Sequence, residues 1–304
     1  VQLMTYAPYF TEKEAPRRAP SGFTAYTPDK VTDIGIYMLE STTAPYTENY
    51  IRYATKWYAH FDVDANKTYT VYGYMPKITG MSSSLSSVTS DGATLTINGI
   101  KPVTADDICI ITGVKETDTG LKEGQFGWRM ENANDNFYMY LLMDHLYASV
   151  KFSLKVSEEY AQLRTIKLKT MTLSVNKASV NAAVTLHNTE GTSPITSVTY
   201  TLTTGDNCAA EIFNDAEGQA LSSTTPIAVS ACFVPTLSSD LTLFSTYDVY
   251  DSKGNLIRAN CKATNKIPNL EASRGQRVQL NMKVDPTYLY VMSDKDLDNL
   301  FTIE

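Results

Sequence analysis

YASVKFSLKV, residues 147–156, is the stretch that decides the fold of this chain, because it carries the clearest strand pattern in the sequence. Its apolar side chains alternate without a miss against the residues between them, and they are Ala148, Val150, Phe152, Leu154 and Val156. A period of two is typical of a β-strand with one buried face and one solvated face. The sequence therefore predicts a half-buried strand at the middle of the chain.

A second apolar run follows this strand after a polar loop, and its phase changes part of the way along. Ile166 and Leu168 keep one parity, whereas Met171, Leu173 and Val175 take the other. Such a change fits a β-bulge, or a strand that passes from one sheet to another. We expect one of these two features near residue 169.

Strand patterns rich in Tyr, Val and Ile continue on both sides of this pair, and turn residues separate them. They lie at 34–39, 57–63, 69–75, 93–97, 108–114, 180–186, 198–203, 227–233, 241–250 and 278–284, with a serine tract of low hydrophobicity at 82–90. No convincing amphipathic helix interrupts them. The fold class predicted is all-β, built as antiparallel sandwiches. A change in composition near Met143 predicts two domains, residues 1–143 and residues 144–304.

Composition and charge exclude several classes of partner. The net charge is -7, so neither nucleic acid nor an anionic lipid surface is expected as a partner. The sequence contains no run of about 18 apolar residues, the length that a membrane-spanning helix needs. It opens directly on a strand-like segment, so we expect any export signal to lie outside it.

The catalytic arrangements that can be recognised from sequence are missing. The histidines are His60, His145 and His187, and none stands in an H-E-x-x-H pattern. The sequence also lacks a G-x-S-x-G elbow, a Walker loop and a dinucleotide fingerprint. We therefore expect no enzyme activity and no cofactor. His145, in Met143-Asp144-His145-Leu146, is interpreted as a packed or hydrogen-bonded structural histidine in preference to a ligand.

Two acidic segments begin like calcium loops, but neither completes the pattern. Asp62 opens one of them, where Lys67 takes the place of the required sixth-position glycine and Gly73 that of the twelfth-position glutamate. The other contains Asp294, Asp296 and Asp298, and its twelfth position would fall beyond the last residue. Both are interpreted as solvated acidic turns, and no metal site is predicted.

The four cysteines do not form a metal or redox motif. They are Cys109, Cys208, Cys232 and Cys261, with no CxxC pair among them. Buried thiols are expected. A disulfide among Cys208, Cys232 and Cys261 stays open as an alternative in an oxidising compartment.

Several segments together are similar to the fimbrillin-type (Mfa-like and FimA-like) subunits of the type V pili of Bacteroidetes. The matching pieces are Arg18-Ala19 behind a short N-terminal strand, IGIY at 34–37, YTVYGYMP at 69–76, HLYASVKF at 145–152 and VDPTYLYV at 284–291. They follow the family's order and reach from one end of the chain to the other.

This resemblance implies two transthyretin-like domains and a structural pilus subunit that supports surface adhesion. It implies export as a lipoprotein to the outer membrane and cell surface, contact with the membrane only through a lipid anchor on the precursor, and partners that are other pilus subunits, a processing protease and host or bacterial surface ligands. The sequence contains no lipobox cysteine, so lipidation rests on the resemblance alone. The alternative is a cell-surface glycan-binding lipoprotein that uses some of the twenty tyrosines, although Tyr69, Tyr72 and Tyr74 lie inside strand patterns.

The resemblance also implies polymerisation by donor-strand exchange, after a protease removes the N-terminal strand. Val1, Leu3 and Thr5 share one face of that strand, and the proline-flanked pair Arg17 and Arg18 offers an exposed site for an Arg-specific protease. The candidate donor strand is the C-terminal tail, with Tyr288, Tyr290, Met292, Leu297, Leu300, Phe301 and Ile303. Alternatively, the tail is the last strand of its own domain and the arginine pair lies in a solvated turn.

Overall fold

The computed structural model of the chain describes residues 2–13, 22–26, 33–40, 47–52, 57–58, 67–115, 124, 127–129, 138–189, 193–236, 241–268, 270–284 and 302–303. Strands dominate these residues, which confirms the all-β class. In chain order the strands are β1 (Gln2–Pro8), β2 (Thr11–Glu12), β3 (Phe23–Ala25), β4 (Asp33–Leu39), β5 (Thr47–Arg52), β6 (Trp57–Tyr58), β7 (Thr68–Lys77), β8 (Ser82–Ser86), β9 (Gly92–Ile100), β10 (Cys109–Lys115), β11 (Gly127–Arg129), β12 (Tyr138–His145), β13 (Ala148–Val156), β14 (Arg164–Val175), β15 (Ser179–His187), β16 (Ile195–Thr203), β17 (Cys208–Ala220), β18 (Ile227–Ala228), β19 (Cys232–Val234), β20 (Leu241–Asp251), β21 (Leu256–Ile267), β22 (Gln276–Val284) and β23 (Thr302–Ile303).

These strands form four sheets. Sheet A has the order β3-β1-β12-β10-β7-β4-β5, with β6 against β1 and β11 against β7. Sheet B has the order β18-β13-β22-β2, with β19 against β13 and β23 against β22. Sheet C has the order β16-β15-β9-β8, and sheet D has the order β17-β14-β20-β21. Within the described residues the parallel pairs are β1 with β12, β13 with β22 and β2 with β22.

The sheets pack in pairs around two hydrophobic clusters. Sheets A and C share one cluster, to which β7 contributes Tyr74 and β9 contributes Leu95. Sheets B and D share the other, to which β13, β14 and β20 contribute Phe152, Leu173 and Leu243. Burying one apolar face of each sheet against another sheet gives a sandwich-like layering. The transthyretin-like arrangement of two domains stays a prediction.

The central stretch of the sequence forms β13, as its alternation predicts. Phe152, Leu154 and Val156 are buried, and the residues between them are half-buried. Ser149 was expected on the solvated face, but it is 1% exposed. The first half of β13 lies between β19 and β22, which cover both of its edges.

The phase change in β14 is a bulge. Its register slips between Leu168 and Thr170 against both of its neighbours, β17 and β20. Because β14 pairs with the same two strands on either side of the slip, it stays in sheet D. Of the two alternatives left open by the sequence, the bulge is therefore confirmed.

Local structure departs from the sequence interpretation at two places. The loop predicted after β13 contains a short helix, α1 (Glu158–Leu163), because the Ser157 side chain caps it by accepting a hydrogen bond from the Tyr160 amide. The serine tract contains β8, in which Leu85 is buried. Ser82, Ser84 and Ser86 are exposed, whereas Ser83 and Leu85 face inward, so a mostly polar strand covers the edge of β9.

The boundary near Met143 stays a prediction. Met143 itself is buried within β12, and sheet C joins β8 and β9 to β15 and β16 from beyond that position. Within the described part of the chain, no helix has the length and apolar character needed to cross a bilayer.

Candidate functional site

The N-terminal strand β1 lies inside sheet A. It pairs in parallel with β12, from Gln2 opposite Tyr138 to Tyr6 opposite Leu142. On its other side it pairs with β3 and, near its start, with β6. A strand with partners on both edges has its backbone groups satisfied within the sheet. The first residues of the chain therefore complete this sheet.

One face of β1 is fully buried. Leu3 and Ala7 are each 1% exposed and Thr5 is 6% exposed. Leu3 and Ala7 belong to a hydrophobic cluster on sheet A that also contains Met139 and Leu141 of β12. The alternation predicted for the N-terminal strand places Leu3 and Thr5 on this face, whereas Val1 lies outside the described residues.

The chain continues beyond β1 and crosses to sheet B. Thr11 and Glu12 form β2, which pairs in parallel with Gln276 and Arg277 of β22. The Lys13 amide donates to the Arg277 carbonyl at 3.0 Å, and Arg277 Nη1 donates to Glu12 Oε1 at 3.2 Å. Residues 2–13, which we call the N-terminal arm, thus bind along two sheets. The sequence interpretation missed this second contact, because a two-residue strand has no periodicity to detect.

A turn before β22 places a backbone carbonyl where the arm can bind it. Gly275 has a φ of +72°, a conformation that favours glycine. Its amide donates to the Tyr147 carbonyl at 2.9 Å, and its own carbonyl accepts from the Thr11 amide at 2.9 Å. The start of the central segment and the arm are therefore joined through one glycine.

Between its two strands the arm inserts the ring of Phe10. The ring stacks on His145 at a centroid distance of 3.7 Å and an interplanar angle of 24°. The Phe233 ring lies 5.8 Å away, and the guanidinium carbon of Arg277 lies 5.5 Å from the Phe10 centroid. We call His145, Phe233 and Arg277 the Phe10 pocket. They come from β12, β19 and β22, so the pocket lies where sheet A meets sheet B.

His145 binds the arm through one ring nitrogen and Asp107 through the other, and we call this pair of contacts the His145 clasp. Its Nε2 lies 2.7 Å from the Pro8 carbonyl, which can only accept, so Nε2 carries a proton. Its Nδ1 lies 2.9 Å from Asp107 Oδ2. Burial acts to lower the pKa of His145, but the hydrogen bond and charge of Asp107, together with the Pro8 carbonyl, outweigh burial and raise it. The charged imidazolium, which donates from both nitrogens, is thereby favoured.

Asp107, Cys109 and His145 also bring three possible metal ligands together, with ligand atoms within 4.8 Å of one another. A metal needs a neutral imidazole nitrogen and a thiolate. Both His145 nitrogens already have hydrogen-bond partners, and burial raises the pKa of the Cys109 thiol, with the nearby Asp107 and Asp144 carboxylates adding to the shift. The arrangement therefore suits a hydrogen-bonded clasp better than a metal centre, in keeping with the interpretation of His145 as structural.

A cleft of about 520 Å³ runs beside the arm. Pro8, Tyr9 and Thr11 line it from the arm side. Opposite them, Arg274 forms an ion pair with Asp144 and also donates to the His145 carbonyl. The two charges of that pair satisfy each other, so the cleft presents a largely neutralised surface.

The tail was predicted to supply a donor strand, and two of its residues, 302 and 303, are described. Thr302 and Ile303 form β23, which pairs antiparallel with Lys283 and Met282 of β22 in the same chain. Since β13 occupies the other edge of β22, β23 and β2 share one edge. The remaining site residues predicted from sequence lie outside the described residues: Arg17, Arg18, Tyr288, Tyr290, Met292, Leu297, Leu300 and Phe301.

The cysteines and the strand tyrosines have structural positions. All four cysteines are free thiols, with Cys109, Cys232 and Cys261 buried and Cys208 half-buried. The tyrosines weighed as sugar platforms, Tyr69, Tyr72 and Tyr74, are at most 7% exposed. Their rings lie inside the fold and cannot stack on an external sugar.

Comparison with known proteins gave structural neighbours only: no family model matches the chain, and no curated protein matches it. A candidate cell adhesion protein from Bacteroides fragilis is 11% identical, with a TM-score of 0.45, over 100% of this chain and 97% of its own. Another from Bacteroides uniformis is 13% identical, with a TM-score of 0.43, over 94% and 95%. A fimbrial protein from Bacteroides vulgatus is 12% identical, with a TM-score of 0.35, over 99% and 97%. These neighbours are of the kind that the sequence resembles, but such loose superpositions carry no argument about activity.

Proposed function

We propose that this chain is a structural fimbrial subunit, assembled at the cell surface by exchange of its N-terminal arm for a strand of another subunit. The observation that carries the proposal is the position of β1. It completes sheet A with a buried face, yet its contacts with β3, β6 and β12 are noncovalent, and the connector after Lys13 is its covalent link to the residues that follow. The subunit is proposed to have no enzymatic activity and to act through assembly and adhesion.

The connector between the arm and β3 is where processing would act. The arm ends at Lys13 and β3 begins at Phe23, so Arg17 and Arg18 lie in the stretch that joins them. A cut after either arginine would leave the arm held only by its ladder hydrogen bonds, its packing and the His145 clasp. Noncovalent attachment makes replacement by another strand possible.

Loss of the arm would leave an acceptor groove. Backbone groups of β12 would lose their parallel partner, and the apolar side chains Met139 and Leu141 would face the space that Leu3 and Ala7 fill. Unpaired backbone groups and exposed apolar surface are both costly in water. A strand supplied by another subunit would pair the backbone groups of β12 and cover the exposed apolar side chains at the same time. This gain in free energy drives the exchange.

The C-terminal tail of another copy is the proposed donor. Its support is the apolar content of residues 288–304, of which Thr302 and Ile303 are described as a strand paired with β22 of the same chain. Two transthyretin-like domains and a lipid anchor on the precursor belong to the same proposal and rest on the family resemblance.

Two variants of the full chain test this route. Changing Arg17 and Arg18 to Ala should block processing by an Arg-specific protease and leave monomers. A chain ending at Met292 should be processed but should not polymerise. Arg258→Ala serves as the matched control, because it removes an arginine that is not part of the connector. Electron microscopy and size-exclusion chromatography report the filaments, and filaments formed by both test variants would contradict the proposal.

A further inference from the structure

The Phe10 pocket would survive loss of the arm. His145, Phe233 and Arg277 all follow the connector in sequence, so a cut there would leave them attached to β12, β19 and β22. Only the ring that fills the pocket belongs to the arm. A subunit that has lost its arm and has not yet received another strand therefore presents an unfilled aromatic slot beside its groove.

The chemistry of the slot distinguishes one apolar side chain from another. The Arg277 guanidinium carbon lies 5.5 Å from the centroid of the Phe10 ring, and the His145 ring stacks on the same Phe10 ring at a centroid distance of 3.7 Å. The charged form of His145 is favoured by Asp107, so two cations border the site. Cations bind the face of an aromatic ring, but they gain nothing from an aliphatic side chain of similar size. The tilted Phe233 ring adds an aromatic–aromatic contact to Phe10, which an aliphatic side chain would also lack.

The position of the ring is fixed by pairing on both sides of it. β1 is held in register on β12 up to Tyr6, and Thr11 is held on β22. The His145 bond to the Pro8 carbonyl holds the segment between them. A strand that follows this path must place a side chain in the slot, three residues after the position that Ala7 occupies. Arg277 then lies within reach of a carboxylate close behind, as it does for Glu12 at 3.2 Å.

We propose that the Phe10 pocket selects the incoming strand by an aromatic side chain, with a nearby carboxylate as a secondary contact to Arg277. This inference rests on the proposed exchange and specifies the chemistry of the partner strand. The tail of a second copy has that chemistry, since it offers Tyr288, Tyr290 and Phe301 among acidic residues. An aliphatic strand would fill the groove of sheet A but leave the slot without its cation and ring contacts.

Peptide competition on the cleaved full chain tests the proposal. Residues 14–20 are replaced by the recognition sequence of a site-specific protease, the chain is cut, and a fluorescent peptide of residues 1–13 is exchanged into the groove. Unlabelled 13-residue competitors then carry either Phe10 or Phe10→Leu. Loss of stacking and cation–π contacts should weaken the Leu peptide about tenfold. The matched control is Tyr9→Leu, which also replaces an aromatic ring by leucine but at a side chain 42% exposed, and it should stay within about twofold.

Variants of the Phe10 pocket allow a second measurement, the ratio of the affinities for the two peptides, which a general loss of protein stability would not change. On Arg277→Met or Phe233→Leu protein, the preference for the Phe10 peptide over the Phe10→Leu peptide should fall from about tenfold to about threefold or less, since one of the ring contacts is gone. Glu12→Gln in the peptide should cost about threefold on the native pocket and nothing on Arg277→Met.

The outcomes separate the two proposals. If no peptide, including the native one, displaces the arm after cutting, both the exchange and the aromatic selection are wrong. If peptides exchange but the Phe10 and Phe10→Leu peptides bind within twofold of each other, the groove is a strand acceptor and the aromatic selection alone is overturned. An unchanged preference on both pocket variants would likewise overturn the assignment to these residues.

Discussion

Replacing His145 by Gln should destabilise the chain strongly, because the change breaks a buried ion pair. The side chains of His145 and Asp107 are only 4% and 10% exposed. Asp107 Oδ1 is buried with no hydrogen-bond partner among the described residues, and His145 Nδ1 contacts Oδ2 at 2.9 Å. Removing one partner of a buried pair typically costs about 3–5 kcal/mol. A glutamine can donate to Pro8 or to Asp107, but it brings no charge.

A second substitution separates the unpaired charge from the other losses. In the double variant His145→Gln/Asp107→Asn the buried charge is gone, and the remaining cost comes from the lost stack on Phe10 and from weaker hydrogen bonds. Those losses amount to about 1–2 kcal/mol. The double variant should therefore be more stable than His145→Gln alone, which is a non-additive result.

Urea unfolding at pH 6, followed by far-ultraviolet circular dichroism, measures these differences. The matched control is His187→Gln, the same substitution at an exposed histidine at the end of β15, and it should cost less than about 0.5 kcal/mol. Two results would refute the reasoning. In one, the His145 and His187 variants unfold at the same urea concentration. In the other, the double variant is less stable than the single one by the full cost of Asp107→Asn.

Three further predictions concern the same arm and sheet. Leu3→Ala should lower the free energy of unfolding by about 3 kcal/mol because Leu3 is 1% exposed, whereas Leu256→Ala, at a leucine 53% exposed, should cost less than about 1 kcal/mol; equal urea midpoints would show that β1 is not an integral strand. The folded state raises the pKa of His145, so the contribution of His145 to stability is complete below the ordinary histidine pKa of about 6.5 and is lost as the pH rises through the raised pKa. Amide hydrogen exchange in the arm should therefore become faster above about pH 6.5 in the native chain, by more than the base-catalysed increase measured in His145→Gln. Parallel pH profiles for the two proteins would contradict the role of His145 in holding the arm. Gly73→Ala places a Cβ 2.1 Å from the Gly35 carbonyl oxygen, so β4 and β7 must separate and thermal unfolding should show a loss of more than about 2 kcal/mol; an unchanged melting temperature would mean that this pair tolerates the shift.

The sequence was sufficient for several strands that bury one face but not for all of them: β21 buries Cys261, Ala263 and Ile267 alternately and was not among the predicted strands. β13 and β22 alternate cleanly because each places every second side chain in a core, and the bulge of β14 shows as a change of phase. β17 was not predicted by the same reasoning. Of its thirteen residues Ile212 is the buried one, since this strand lies at the edge of sheet D and exposes most of its side chains. A strand that buries almost nothing leaves no hydrophobic period to detect.

The site was predicted in part for the same reason. Leu3 and Thr5 were placed on one face of an N-terminal strand, because periodicity within seven residues is a local property. Phe10 was not singled out, since it stands just before a polar run and its role depends on residues far along the chain. His145 was interpreted correctly as hydrogen-bonded, although its partners Pro8 and Asp107 could not be named.

The sequence by itself determined the all-β class, the alternation of the central strand and the existence of a strand at the start of the chain, because each depends on the order of apolar and polar residues over a short span. Only the tertiary structure decided that β1 enters sheet A beside β12, that β15 pairs with β9, and that Phe10 meets His145, Phe233 and Arg277. The partners in these contacts are separated by 80 residues or more. Pairing at that distance is chosen by the fit of whole sheets and by which edges remain open, and no local pattern records that choice.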